Sequence, residues 1–206
     1  IKLIKKKIKE LRLPFIYCNM VGAQDEIIFD GSSLAFSNNG GLVKQAEYFK
    51  ECISIINFNM KKSSAVIFQK KEKKIFNALC LGVSDYFSKT GHKEAVIGLS
   101  GGIDSALTAA IAVEALGKNN VHGVLLPSKF SSDHSLKDAE CLALNLKIDH
   151  RIIPIQKSVD VLLNSLQKDF LGKESDTTEE NIQSRVRGNI LMALSNKFGW
   201  LLLTTG

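Results

Sequence analysis

The sequence predicts an α/β protein, with a doubly wound parallel sheet in its second part and a group of antiparallel strands ahead of it. Three observations carry this. After Lys73, short and largely apolar runs (Ala95 to Leu99, Val121 to Leu126, Arg151 to Ile155, Trp200 to Thr204) alternate with longer segments of helical spacing, the pattern of parallel strands covered on both faces. Before Asn57, short apolar stretches are separated by polar turn clusters instead, the pattern of antiparallel strands. Finally, 206 residues with 45% hydrophobic and 23% charged side chains have the length and balance to bury a core, and do not read as disordered.

In chain order, Ile1, Leu3, Ile4, Ile8 and Leu11 recur at helical spacing until Leu13-Pro14 breaks the pattern. The strand Phe15 to Tyr17 is followed by a turn at Gly22 to Asp25, by Ile27 to Phe29, by the turn Asp30 to Ser33, and by Leu34 to Phe36 before Asn38 to Gly41. Cys52 to Ile56 is a further strand candidate. Asn57 to Lys74 is polar, basic and weakly patterned, which marks a domain boundary: residues 1–57 form one part, 58–74 a linker, and 75–206 a second part. There a helix runs to about Phe87, strand Ala95 to Leu99 precedes an Ala-rich helix ending at Gly117, and strand Val121 to Leu126 leads to a helix over Leu136 to Leu146. Strand Arg151 to Ile155, a helix over Val159 to Phe170, a polar loop, a longer helix and strand Trp200 to Thr204 complete the series.

Ligands of such sheets bind where the strands end, and the most informative run stands at such an end: Gly98, Leu99, Ser100, Gly101, Gly102, Ile103, Asp104 and Ser105. Paired glycines let backbone N–H groups approach an anion, and the helix that follows points its positive end there. Ser100 and Ser105 add hydroxyls. The Asp104 carboxylate would repel a phosphate directly, so it points to a bridging divalent cation, Mg²⁺. The spacer and Lys-Ser/Thr ending of the common P-loop are missing. The bland alternative is a tight strand-to-helix turn capped by Asp104 or Ser105.

A second group lies on the long helix, whose start is marked by Thr177 and Glu180 at capping-box spacing. Ile182, Val186, Ile190 and Ala193 share one apolar stripe, while Asn181, Arg185 and Gly188 share another. Arg185 suits phosphate or carboxylate, Asn181 a hydrogen-bonding ligand, and Gly188 close approach. A solvated helix face explains the pattern as well.

The Gly98 to Ser105 run resembles the signature of the N-type ATP pyrophosphatases, whose sheet is of the adenine nucleotide alpha hydrolase-like kind. Together GLSGGIDSAL, LPSKFSSDHS, TEENIQSRVRGNILMALSNKFGW and LLLTTG look like the synthetase domain of the NAD synthetases. LPFIYCNMVGAQDEIIFDGSSLAF resembles the closing strands of the nitrilase-like α/β sandwich glutaminase domain fused to the glutamine-dependent members. The resemblance implies that Gly98 to Ser105 and Thr205 bind ATP, that Asp104 ligates Mg²⁺, and that Asn181 and Arg185 contact deamido-NAD. It further implies ATP-dependent amidation of deamido-NAD through an adenylate, with ammonia drawn from glutamine. The family's Glu, Lys and Cys glutaminase triad falls upstream of the matched stretch, so no catalytic nucleophile is expected here, and Cys18 is rejected as one. The family pattern continues past Gly206 with a glutamate that completes the site, so the 206-residue piece by itself is expected to be inactive.

The remaining expectations concern class and company. Cys18, Cys52, Cys80 and Cys141 show no metal or disulfide spacing and are expected to be free, mostly buried thiols. The net charge of +6 comes from dispersed lysines, densest at Lys70, Lys71, Lys73 and Lys74, and suits polyanionic nucleotides rather than nucleic acid. No apolar run is long enough to span a bilayer and no secretory segment follows the basic start, so a cytoplasmic protein is expected. The family resemblance adds a homo-oligomer. Competing readings are another adenylating amidotransferase of the same superfamily and a catalytically inert binding fragment; a stand-alone nitrilase-class hydrolase would lack its triad.

Overall fold

The computed structural model describes residues 1–58 and 65–205. The chain divides into two compact units, Ile1–Tyr86 and Phe87–Gly206. Residues 59–64 of the expected linker lie outside the described part.

In the first unit, helix α1 (Lys2–Leu11) stops where Arg12 turns left-handed and donates its N–H to Ile8 O. Pro14 follows two residues on and cannot rejoin a helix. Strands β1 (Phe15–Tyr17), β4 (Leu34–Phe36) and β5 (Leu42–Gln45) form an antiparallel sheet in the order β1-β4-β5. Strands β2 (Val21–Gln24) and β3 (Ile27–Asp30) form a separate hairpin. A small core gathers Ile8, Leu34, Phe36 and Leu42, with Ile4, Phe15 and Val66 against it.

Three sequence expectations need correction here. The turn expected over Gly22 to Asp25 is mostly strand, and the reversal is confined to Asp25 and Glu26, with Asp25 at φ 50°. Three polar or small residues in four hid β2, and β5 was missed for a similar reason, since Lys44 and Gln45 dilute its apolar signal. The strand expected at Cys52 to Ile56 does not form: Ile53 and Ile55 are 101% and 97% exposed, so the alternating pattern has no partner to pack on. The thiols, expected to be mostly buried, are instead exposed at Cys18, Cys52 and Cys141 and half-buried at Cys80.

Helix α2 (Lys71–Thr90) runs across the division between the units. Beyond it the second unit holds four parallel strands, β6 (Ala95–Gly98), β7 (Val121–Leu125), β8 (Asp149–Ile152) and β9 (Leu201–Leu203), in the order β8-β7-β6-β9. The helices between them are α3 (Ile103–Leu116), α4 (Asp133–Leu146), α5 (Gln156–Leu166) and α6 (Thr177–Phe198). Neighbouring residues of a strand point to opposite faces, and each face has its own core. Ile97 and Leu125 pack with Ala109 and Ala112 of α3 and Ala139 and Ala143 of α4. Val96 and Val124 pack on the other side with Val159 of α5 and Val186 and Leu191 of α6. The sheet is therefore doubly wound, as expected.

Boundaries shift modestly. Strand β8 begins two residues before the expected Arg151, because Asp149 and His150 pair with β7 despite their polarity. Helix α5 begins and ends earlier than expected, and the capping box of α6 is built by Asp176 and Glu179 rather than Thr177 and Glu180. Asp176 accepts from Thr178 N–H at 2.7 Å while Glu179 accepts from Asp176 N–H at 2.8 Å.

Candidate functional site

Because β6, β7 and β9 run parallel, their carboxyl ends share one edge of the sheet, and the connections leaving them converge there. The run from Ser100 to Ser105 is the connection from β6 to α3. Gly101 adopts φ +81°, and a Cβ at this position would stand 2.3 Å from the Ser135 carbonyl oxygen at the start of α4. Only glycine satisfies both the torsion and the approach.

Two hydroxyls set the shape of this turn. Ser100 Oγ accepts the Gly102 N–H at 3.2 Å and lies 3.1 Å from Ser105 Oγ. Ser105 Oγ in turn donates to Gly102 O at 3.0 Å and accepts the Ser100 N–H at 3.3 Å. Ser105 is buried, whereas Gly102, Ile103 and Asp104 face solvent. The helix has Gly102 as its N-cap and no side-chain cap bond, so neither Asp104 nor Ser105 closes its end. The first turn of α3 thus keeps its uncapped positive end beside an exposed carboxylate.

Beside this loop lies a cavity of about 480 Å³. Its floor is the strand ends, with Gly98, Leu99 and Ser100 from β6 and its loop, Leu126 and Pro127 after β7, and Thr204 and Thr205 after β9. One side is the start of α4 and the loop before it, through Ser131 and Ser135; the other is α6, through Ser184, Arg187, Gly188 and Leu191. Ser132 caps α4 by accepting the Ser135 N–H at 3.1 Å, and Ser128 N–H donates to Ser131 Oγ at 3.0 Å, so hydroxyls order the loop at the cavity mouth.

Of the residues singled out from sequence, Gly98, Leu99, Ser100, Gly188 and Thr205 stand in the cavity wall. Gly101 to Ser105 continue the same loop into α3. Asn181 and Arg185 are exposed on α6 and outside that wall, where Arg185 donates to the Asn181 carbonyl at 3.4 Å. Sequence reasoning missed Ser184 and Arg187. The signal was present in the helical spacing, since Ser184, Gly188 and Leu191 follow the i, i+4, i+7 rule about one face, with Arg187 at its flank. Arg187 Nε donates to the Leu126 carbonyl at 3.1 Å, joining α6 to the end of β7. Burial pulls its guanidinium below the ordinary value, yet such a group stays cationic at neutral pH.

Among the described residues no cluster of three or more His, Cys, Asp or Glu side chains is placed to hold a metal ion by itself, and no helix is long and apolar enough to cross a membrane. The arrangement can cradle a polyanion at the loop and enclose a flat, partly apolar group in the cavity.

Known proteins are similar to this chain in sequence and fold. Residues 75–206 match the NAD synthase family model. The glutamine-dependent NAD(+) synthetase of Synechocystis sp. is 44% identical over 212 residues, covering 99% of this chain and 38% of that protein. A structure of glutamine-dependent NAD+ synthetase from Acinetobacter baumannii in complex with adenosine diphosphate aligns with a TM-score of 0.89 at 37% identity, over 99% of this chain and 40% of that one. The NMN synthetase of Francisella tularensis aligns over 67% of this chain and 56% of its own length, with a TM-score of 0.61 at 29% identity. The chain thus spans about two fifths of the length of the glutamine-dependent relatives. With the family match covering the whole parallel-sheet unit and its site loop, this chain belongs to the NAD synthase family.

Proposed function

We propose that the protein amidates deamido-NAD to NAD at the expense of ATP, with residues 75–206 forming the ATP-binding part of the site. The observation that carries this reading is the Ser100 to Ser105 turn, hydroxyl-braced and uncapped, opening on a cavity at the carboxyl edge of a parallel sheet. The ADP bound by the Acinetobacter relative supports the choice of nucleotide.

In this reading the loop holds the β- and γ-phosphates and Thr205 contacts ATP from the end of β9. The nicotinate carboxylate attacks the α-phosphorus, the bond to the pyrophosphate oxygen breaks, and an adenylate and pyrophosphate result. Ammonia then attacks the activated carbonyl, AMP leaves, and a proton is released as the amide forms. No side chain of this chain has to act as a nucleophile. Asn181 and Arg185, on the exposed face of α6, contact the part of deamido-NAD that extends beyond the cavity.

Mg²⁺ fits the donor set in one way. A single exposed carboxylate, Asp104, offers too little for a cage of protein ligands, but Mg²⁺ takes one or two carboxylates together with phosphate oxygens and waters. Asp104 would therefore hold an ion that arrives on the nucleotide, which neutralises phosphate charge when bound. By likeness to the longer glutamine-dependent relatives, residues 1–57 correspond to the end of a nitrilase-like domain that releases ammonia from glutamine, residues 58–74 are the linker, and the assembly is a cytoplasmic homo-oligomer.

A second reading, amidation of a nicotinate mononucleotide, has support in the likeness to the Francisella NMN synthetase. Single-turnover assays of the natural full-length protein with ATP, ammonia and either substrate separate the two. Faster amide formation from deamido-NAD is the expected result. A preference for the mononucleotide establishes the second reading, and amide formation from neither overturns both.

A further inference from the structure

Arg187 is the one ionisable side chain in the cavity wall among the described residues; the rest of that wall is apolar or carries hydroxyls. Its Nε is engaged by the Leu126 carbonyl, which fixes the side chain across the floor of the cavity. Guanidinium has five N–H donors in a planar fork, and this bond uses one. No carboxylate among the described residues forms an ion pair with it, although it is half-buried. A partly buried cation without a counter-charge is costly unless an anion joins it.

The remaining donors therefore sit in a cavity whose wall also includes Ser100 of the phosphate-type loop, on a side chain already held in place. We propose that Arg187 is a ligand-binding residue whose free guanidinium edge pairs with phosphate oxygens of the nucleotide seated in this cavity. The inference rests on the proposed ATP-dependent reading and adds to it the cation that the cavity itself supplies. It also gives the Leu126 tether a purpose beyond joining α6 to β7: with Nε held, the fork loses less freedom when it meets the phosphate.

The alternative for Arg187 is a purely structural tether, and side-chain chemistry separates the two. Arg187→Gln keeps an N–H donor for the Leu126 carbonyl but removes the charge, while Arg187→Lys keeps the charge and loses the fork. Calorimetric titration of the natural full-length protein and both variants with Mg·ATP, and separately with adenosine, reads the difference. The expected result for Arg187→Gln is ATP affinity weakened by about tenfold or more, the worth of a charge-assisted hydrogen bond. Adenosine affinity should be unchanged, and Arg187→Lys should restore part of the ATP affinity.

Equal ATP affinity in wild type and Arg187→Gln overturns the inference and leaves the proposed function standing. Equal losses for ATP and adenosine overturn it too, because a disturbed floor would weaken both. Wild-type protein that fails to bind ATP removes the proposed function along with the inference.

Discussion

At the scale of single residues, the site depends on a few positions where backbone geometry and chemistry coincide. Gly101 is the sharpest case, since its left-handed torsion and its approach to Ser135 both exclude a side chain. Gly101→Ala is expected to cost about 2 kcal/mol or more, combining the left-handed penalty with displacement of the start of α4, and urea unfolding of the variant would measure it. ATP binding should weaken in parallel, because the loop cannot keep its shape. The glycines, serines and aspartate of this loop were legible in the sequence because their order is tied to a strand end. Arg187 was not, because its importance comes from a bond to Leu126, 61 positions away. Ser131 and Ser135 escaped for a similar reason, as serines in a polar loop say nothing of the wall they join.

At the scale of elements, the amino ends of the strands are held by a polar network on the edge opposite the cavity. His122 on β7 bridges Glu94, at 2.7 Å from Nε2, and Asp149 on β8, at 3.3 Å from Nδ1. It also stacks on Trp200, the residue before β9, with ring centroids 3.8 Å apart. Burial alone would raise the Asp149 carboxyl, but hydrogen bonds from Arg151 and His122 outweigh it and hold the group below its ordinary value. A depressed carboxyl contributes stability above its unfolded value, about 3.9, and that contribution is lost as pH falls through the lower folded value. Asp149→Asn should therefore flatten the acid limb of stability below about pH 4, by less than about 1 kcal/mol because Asp149 is largely exposed and screened. Thermal melts across pH 3 to about 7 would show it. At the C-terminal end of α6, Ser195 Oγ donates to Trp200 O at 2.7 Å in a buried setting. Removing that donor with Ser195→Ala should cost about 1–3 kcal/mol by leaving the carbonyl unsatisfied, a loss that chemical denaturation reads directly. Polar strand ends of this kind explain why β8 was placed two residues late: pattern reasoning follows apolar runs, while Asp149 and His150 enter the sheet by pairing.

At the scale of the whole molecule, the parallel unit owes its stability to two cores that share β6 and β7, so a cavity opened at either strand loosens the floor of the site. Ile97→Ala should cost about 2–5 kcal/mol, seen as a lower urea midpoint, and should weaken nucleotide binding as well. The doubly wound order could be read in advance because unbroken apolar strands between helices admit few other arrangements. The first unit was less legible: its strands are three or four residues long, and the apolar alternation of Cys52 to Ile56 meets no partner strand. The proposed activity requires that the Ser100 to Ser105 turn hold the pyrophosphate end of ATP, with Asp104 meeting the metal that accompanies it. Exchange of labelled pyrophosphate into ATP, dependent on deamido-NAD and followed in the natural full-length protein, isolates that step from ammonia delivery. Asp104→Ala is predicted to lower this exchange by about a hundredfold or more, in keeping with the loss of a transition-state electrostatic contact; exchange at the wild-type rate would contradict the assignment.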